Sequence, residues 1–296
     1  MARILATGIV TLDHTLDVAN FPAEDDEVRA LASTSQPGGN ATNTAAILAQ
    51  FGHRPGLAAV VARGAGGDAL LEQIRERGLD VRHCVRRSGA TPTSHILRSK
   101  ATGSRTIVHH RDLPELAAAD LADVPWSEYD WLHFEGRNPD ALASILAAAR
   151  GSIFDQPVSL ELEKPRPGLE ACLDFADVLM LSRNWAATVA DRPEVALEHL
   201  ARRFPDRILT VTAGSSGAWM AARGEIHHCA PTDGLQVVDS VGAGDTFNAG
   251  LIHALVSGEP PEQALVAAVR LAERKLAQVG FDGLAAAGPD PAAWPG

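Results

Sequence analysis

The chain predicts an α/β protein: a mostly parallel sheet covered by helices on both faces, with a small strand-built lid set into it. Three observations predict this. Between Trp131 and Thr212, apolar runs of strand length alternate with helical patterns, the layout of βαβ units. Most of those runs are too apolar to have a solvated face, as in parallel strands buried on both sides. Between Asp13 and Gln36 the composition turns polar and acidic (Ala23-Glu24-Asp25-Asp26-Glu27), with short β-prone pieces and no helical pattern. That excursion reads as an insertion rather than core.

Residues 4–10 are predicted as a first buried strand, with Asp13 at its end. Pro37-Gly38-Gly39-Asn40-Ala41-Thr42-Asn43 precedes a helix with Ala45, Ala46, Leu48, Ala49 and Phe51, stopped by Gly52. Residues 57–62 form another buried strand and 67–77 a helix closed by Gly78. Strands return over 81–108, where 93–97 and 106–108 flank a turn at 101–104. The lid therefore draws on two inserted segments, about 13–36 and 90–110. Then come strand 131–134, helix 140–149, strands 158–162 and 178–181, helix 195–203 and strand 208–212. Residues 217–220 and 225–229 read as a hairpin around Arg223-Gly224, and helices 246–256 and 261–278 complete the core. The tail after Gly283, rich in Ala, Gly and Pro, is expected to pack little. Without repeats or a clear linker, 1–296 reads as one domain.

An apolar fraction of 46% is ample for a core of this size. The net charge of −11 argues against nucleic acid or an anionic membrane surface as the main partner. Cys84, Cys172 and Cys229 are scattered and lack metal-type spacing, which suits reduced thiols. The apolar start is cut short by Asp13 without a signal-peptide layout, and no apolar run is long enough to span a bilayer. The expectation is a soluble, cytoplasmic protein.

The chemistry is concentrated in Val237-Val238-Asp239-Ser240-Val241-Gly242-Ala243-Gly244-Asp245-Thr246-Phe247. A glycine turn before a helix leaves several N–H groups uncovered, at the positive end of the helix dipole, where phosphate oxygens bind well. Asp245 at the rim of such a site is unexpected, because a carboxylate repels phosphate. A base that takes a proton from a hydroxyl attacking a phosphoryl group belongs there. The alternative is that Asp245 only caps the helix.

Other motifs are weaker. No G-x-x-x-x-G-K-[ST] is present, and Gly64-Ala65-Gly66-Gly67-Asp68-Ala69 imitates a dinucleotide fingerprint without an acidic residue on a following strand. Gly39, Asn40 and Asn43 suit close approach of a ligand and hydrogen bonding to sugar hydroxyls, though Asn40 serves equally well as a helix cap. Strict alternation in Val158-Ser159-Leu160-Glu161-Leu162-Glu163-Lys164 puts Ser159, Glu161 and Glu163 on one face. Those carboxylates suit either a Mg²⁺ water shell or pairing with Lys164 and Arg166. The pairs His109-His110 and His227-His228 point to opposite faces of strands and make poor metal sites.

Taken together, Gly38-Gly39-Asn40-Ala41-Thr42-Asn43 and Val238 to Phe247 resemble the two signatures of the ribokinase-like (PfkB-type) carbohydrate kinases. His133 to Asn138, Glu161 to Arg166, Ser104 to Val108 and Gly280 to Gly283 are similar to phrases of the ketohexokinase branch. The likeness runs from Gly8 to Gly283 with its pieces in matching order. It implies a three-layer α/β/α sandwich whose lid is a β-clasp, and transfer of the γ-phosphate of ATP to a sugar hydroxyl. Ketose 1-phosphorylation is the leading form, with ribose, keto-deoxy sugar or nucleoside as alternatives, and a non-catalytic sugar-binding regulator as the rival class.

By resemblance, Asp245 is the base, and Gly242, Ala243 and Gly244 form the anion hole with Arg105 near the phosphates. Asp13, Gly39, Asn40 and Asn43 hold the sugar, with Asp25 reaching in from the lid. Thr212, Gly214, Ser216 and Gly217 form the nucleotide loop. Mg²⁺ is expected, with Glu163 acting on it through water; the resemblance also allows a monovalent cation such as K⁺ and a homodimer made through the lid. Two departures matter. Ser182-Arg183-Asn184-Trp185-Ala186-Ala187 lacks the glutamate of the family's N-x-x-E motif, which leaves the Mg²⁺ ligands open. Thr212-Ala213-Gly214 is closer to the general family than to ketohexokinase, so adenine contacts transfer poorly.

Overall fold

The computed structural model describes residues 1–286. Its large sheet has the order β14-β13-β12-β11-β10-β9-β1-β4. The parallel part comprises β1 (Arg3–Thr7), β4 (Arg54–Ala58), β9 (Trp131–Glu135), β10 (Val158–Leu162), β11 (Val178–Ser182) and β12 (Ile208–Thr212). The predicted hairpin, β13 (Ala218–Ala222) and β14 (Glu225–Cys229), extends it antiparallel. Helices α1 (Asn40–Gln50), α2 (Ala65–Glu76), α6 (Ala243–Val256) and α7 (Pro261–Leu276) cover one face. The other face carries α3 (Pro139–Arg150), α5 (Pro193–Arg203) and the single-turn α4 (Arg183–Ala186).

Strand alternation explains why these segments read as unbroken apolar runs. In β1, Leu5 enters the α3/α5 core, while Ile4 and Ala6 pack under the helices opposite. In β10, Val158, Leu160 and Leu162 join the α3/α5 core, and Ser159 and Glu161 face the other way. Ser159 is satisfied there by the Trp131 indole N–H at 2.8 Å and the His133 ring at 2.9 Å.

A second sheet, the clasp, has the order β3-β2-β7-β8, from β2 (Thr11–Val18), β3 (Ala32–Gly38), β7 (Thr93–Ser99) and β8 (Arg105–His110). Strands from the two inserted segments thus share one sheet, in which β2 and β7 pair in parallel. Beneath it, the buried guanidinium of Arg98 binds Asp17 through two bonds of 2.7 and 3.0 Å. Arg98 also reaches Asp239 at 3.4 Å, joining the clasp to the segment that leads into α6.

Three local expectations need correction. The first strand ends at Thr7: Gly8 still makes the last ladder bond, to the Ala58 carbonyl, but Ile9 donates to the Glu135 carboxylate instead. Asp13 therefore lies on clasp strand β2, not at the end of β1. Residues 57–62 divide between β4 and β5 (Val60–Ala62), and β5 pairs with β6 (Val85–Arg87) in a small separate sheet. The tail begins with the fully buried Leu284, contrary to the expectation that it packs little; its remainder from 287 lies outside the described residues.

Removing Arg98 would take one of two cations from each of two buried carboxylates, leaving Asp17 with Lys100 and Asp239 with Lys275. Arg98→Met is expected to lower unfolding stability by about 2–4 kcal/mol, read as a fall in the urea midpoint. An unchanged midpoint would mean the clasp is not held by this pair.

Candidate active site

A cleft of about 510 Å³ lies between the carboxyl ends of the parallel strands and the clasp. Crevices form at this edge because neighbouring crossovers leave the sheet in opposite directions there, as they do between β1 and β9. Two helix starts border it.

At α6, Gly242 is the N-cap with φ +75°, a conformation that costs glycine little. A side chain there would also collide with the Phe281 ring. The first-turn amides of Gly244 and Asp245 have no acceptor inside the helix, that of Ala243 makes only a long bond of 3.5 Å to the Ser240 carbonyl, and nothing lies within 4 Å of where a Cβ on Gly244 would stand. At α1, the N-cap is Gly39 with φ +104°, held so close to the Ile9 carbonyl that a Cβ would sit 2.2 Å from its oxygen.

These starts face each other through side chains. Asn43 donates to the Asp245 carboxylate at 2.7 Å, and Thr44 donates to the Asp245 carbonyl at 3.3 Å. Asn40 does not cap its helix; its amide donates to Glu161 at 3.1 Å and Glu163 at 3.3 Å. Asp245, third residue of α6, makes no cap bond either and turns its carboxylate toward the cleft. From the clasp, Asp13, Ser94 and His109 line the cavity beside Ile96 and Ile107. Thr11 donates to Asp13 at 2.7 Å, and Gly38 leaves room for that carboxylate. Arg105 crosses from β8 to hydrogen-bond the Ser240 hydroxyl at the glycine turn.

The electrostatics are lopsided. Asp245 and Glu161 are buried in one cleft with Glu163 and Asp13, and the buried Glu135 lies behind it, outside the lining. Burial pushes the Asp245 carboxyl up to about 7; the Asn43 bond opposes this, and Glu135, Glu163 and Asp13 add to it. Burial raises Glu161 well above the usual carboxylate range, with Asp245 and the other two glutamates adding to it. Glu135 is raised by burial despite Arg137 at 3.4 Å and the Ile9 amide. Such a cleft suits a ligand that brings hydroxyls to the carboxylates and a cation with its phosphates.

The family model described as pfkB family carbohydrate kinase matches residues 1–282. The chain belongs to this family. It is 34% identical to mouse (Mus musculus) ketohexokinase over 95% of this chain and 98% of that one. Among solved structures, ribokinase of Thermotoga maritima superposes with a TM-score of 0.76 at 23% identity, covering 95% of each chain. Ribokinase of Arabidopsis thaliana, solved with ribose and ATP, gives 0.75 at 20% identity over 94% of each. The protein is thus a sugar kinase with the ribokinase-like fold.

Most residues predicted from sequence converge on this pfkB-family cleft: Asp13, Gly39, Asn40, Asn43, Arg105, Glu163, Thr212 and Gly242 to Asp245 all line it. Asp25 does not; it is exposed on the loop between β2 and β3 with φ +64°. Gly214, Ser216 and Gly217 lie past Thr212 in a tight turn outside the lining, closed by the Ala213 amide bonding to the Gly217 carbonyl. Sequence reasoning missed Arg137, which lines the cleft, and its partner Glu135, buried behind it. Their signal was the His133-to-Asn138 phrase at a strand's carboxyl end.

A buried carboxylate raised from an ordinary value near 3.8 to about 7 destabilises the fold when ionised. Between those values the native state holds a proton that the unfolded chain has lost, so this contribution weakens as pH rises. Asp245→Asn is therefore expected to be more stable than wild type at pH 8, by on the order of 1–4 kcal/mol. The difference should shrink toward pH 5 in paired urea titrations. A gap that does not change with pH would contradict the raised value.

Proposed function

We propose that the protein transfers the γ-phosphate of ATP to a hydroxyl of a small sugar, with Asp245 as general base. The ketohexokinase-like form, phosphorylation of fructose or another ketose at C1, is the reading favoured by the mouse relative. The observation that carries it is the pairing of Asp245 with uncovered first-turn amides across from Asn40, Asn43 and Asp13.

The sugar is held by Asp13, Gly39, Asn40 and Asn43, with one hydroxyl against Asp245. Asn43 fixes that carboxylate so that an oxygen faces the cleft. A base with a value near neutrality is matched to its task, because a substantial fraction is deprotonated near pH 7 while it remains a capable acceptor. As the hydroxyl oxygen attacks the phosphorus, its proton passes to Asp245. The amides of Ala243 and Gly244, at the positive end of α6, and Arg105 stabilise charge on the transferring group. The nucleotide runs from the glycine turn toward Thr212, with the 214–217 turn near its base.

The donor set suits Mg²⁺: Glu163 is a partly exposed carboxylate, and one Glu161 oxygen is buried with no partner among the described residues. Bound with the triphosphate, the ion would neutralise developing phosphate charge, with Glu163 and Glu161 holding its water shell. The outer side of the clasp supports a homodimer, since β8 is exposed throughout and carries Val108 on the face opposite the cleft-lining Ile107, with Leu31 exposed before β3.

The test is ADP release over ketoses, aldoses, deoxy sugars and nucleosides. Fructose or another ketose is expected to give the highest kcat/KM, and Asp245→Asn a loss of on the order of 10³-fold or more in kcat. A preference for ribose or a nucleoside would overturn the ketose assignment, and near wild-type turnover in Asp245→Asn would remove the base. Light scattering is expected to give twice the chain mass, falling toward the monomer in Val108→Glu; a monomeric wild type would end the dimer proposal.

A further inference from the structure

The clasp strands sort their side chains into rows, because partners in register share a face and neighbours along a strand do not. Asp13 pairs with Ser94 and Ser94 with His109; Thr15 pairs with Ile96 and Ile96 with Ile107; Asp17 pairs with Arg98 and Arg98 with Arg105. All three rows lie on the cleft side of the clasp, and Asp13, Ser94, Ile96, Arg105, Ile107 and His109 enter the lining. The Asp17 row is the phosphate end, since Arg105 reaches Ser240 and Arg98 reaches Asp239 at the glycine turn. The Asp13 row lies at the other end, with the Thr15 row between them.

Phosphoryl transfer by Asp245 and the glycine turn leaves His109 unused. Its neighbour His110 points to the opposite face of β8, so the two do not share a site. His109 Nδ1 lies 3.2 Å from the Ser94 hydroxyl, and Nε2 has no partner among the described residues. Partial burial in the cleft, then Arg137, Arg111 and Lys164, lower the proton affinity of the ring, against the pull of Asp13. A ring lowered from an ordinary value near 6.5 is neutral at pH 7 and carries one donor and one acceptor. With Nδ1 used by Ser94, Nε2 is left for a ligand. Asp13, which already accepts from Thr11, can only accept. A carboxylate and a neutral imidazole in one row suit two hydroxyls of a sugar, one donating to Asp13 and the other bonding to His109.

We propose that His109 is a specificity-determining residue, whose Nε2 reads one sugar hydroxyl remote from the hydroxyl that Asp245 deprotonates. The glycine turn and Arg105 keep the reacting hydroxyl at the phosphate end, so the Asp13 row meets the opposite end of the sugar. Ser94 holds the ring by its other nitrogen and fixes the direction in which Nε2 points. Such a group discriminates between sugars, because one that lacks the hydroxyl leaves the imidazole nitrogen without a partner. This rests on the cleft being the site of sugar phosphorylation.

The test pairs the residue with the hydroxyl it reads. Values of kcat/KM are measured in wild type and His109→Leu for the best sugar of the substrate panel and for its monodeoxy analogues, each lacking one non-reacting hydroxyl. His109→Leu is expected to lose on the order of 10-fold with the parent sugar, chiefly as a higher sugar KM with the KM for ATP unchanged. For one analogue the wild type should already show that loss, and His109→Leu should add less than about threefold to it. His109→Gln keeps a donor and an acceptor and should restore part of the parent's rate. Ser94→Ala should lose less than His109→Leu, on the same hydroxyl. Equal losses for the parent and every analogue would mean that His109 reads no hydroxyl, which overturns the proposal. So does wild-type kcat/KM in His109→Leu, or a change confined to the KM for ATP. If His109→Leu does not fold, the same cycle with Ser94→Ala decides between these outcomes. A wild type that phosphorylates no sugar would instead refute the reading of the cleft on which the proposal rests.

Discussion

Asp239 is the point where three parts of the chain meet. Its carboxylate receives Lys275 from α7, Arg98 from the clasp and the Val241 amide of the glycine turn, while its own amide docks on the end of α7. A carboxylate this buried is tolerable only when its charge is matched and its lone pairs are used. The two cations satisfy it together, and each is in turn buried by the elements that bring it. The floor, wall and roof of the cleft are thereby fixed to one another by a single charge-balanced centre rather than by apolar packing alone.

The cleft itself follows the opposite rule. Its carboxylates are brought close with too few basic partners, and the strain appears as raised proton affinity at Asp245, Glu161 and Glu135. Arg137 is held by Glu115 at 2.9 Å as well as by Glu135, so it is only partly available to the cleft. Sites that must hold a polar substrate and a phosphate-bound cation are built with such unspent charge, and they are less stable than a neutral core would be. Balanced charge at Asp239 and unbalanced charge at Asp245 lie six residues apart on the same turn.

The fold was legible because its signals are local. Buried parallel strands and amphipathic helices declare themselves by period, so β10 and β12 fall where the sequence puts them. The two glycine-rich starts were legible for the same reason. Asn40 could be read as cap or ligand until its partners were known; Glu161 and Glu163 lie more than 120 positions away, and no local pattern carries that information. Lys275 was invisible for a related reason, since Glu273-Arg274-Lys275 looks like any solvated helix end. The end of β1 was misread because an acidic side chain on β9 takes the amide that would have continued the strand.

The parallel pairing of β2 with β7 carries a consequence for how the molecule assembles. Asp17 and Arg98 are neighbours in the clasp but 81 positions apart in the chain, and much of the α/β core lies between and beyond them. No short turn can bring those strands together, so the entropy of closing that loop must be met before any clasp hydrogen bond forms. The sandwich, with its consecutive βαβ units, can form without the clasp, whereas the clasp depends on core elements to align its strands. The roof of the cleft is thus set to form last on folding and to open first in partial unfolding, leaving the floor of the cleft intact beneath it.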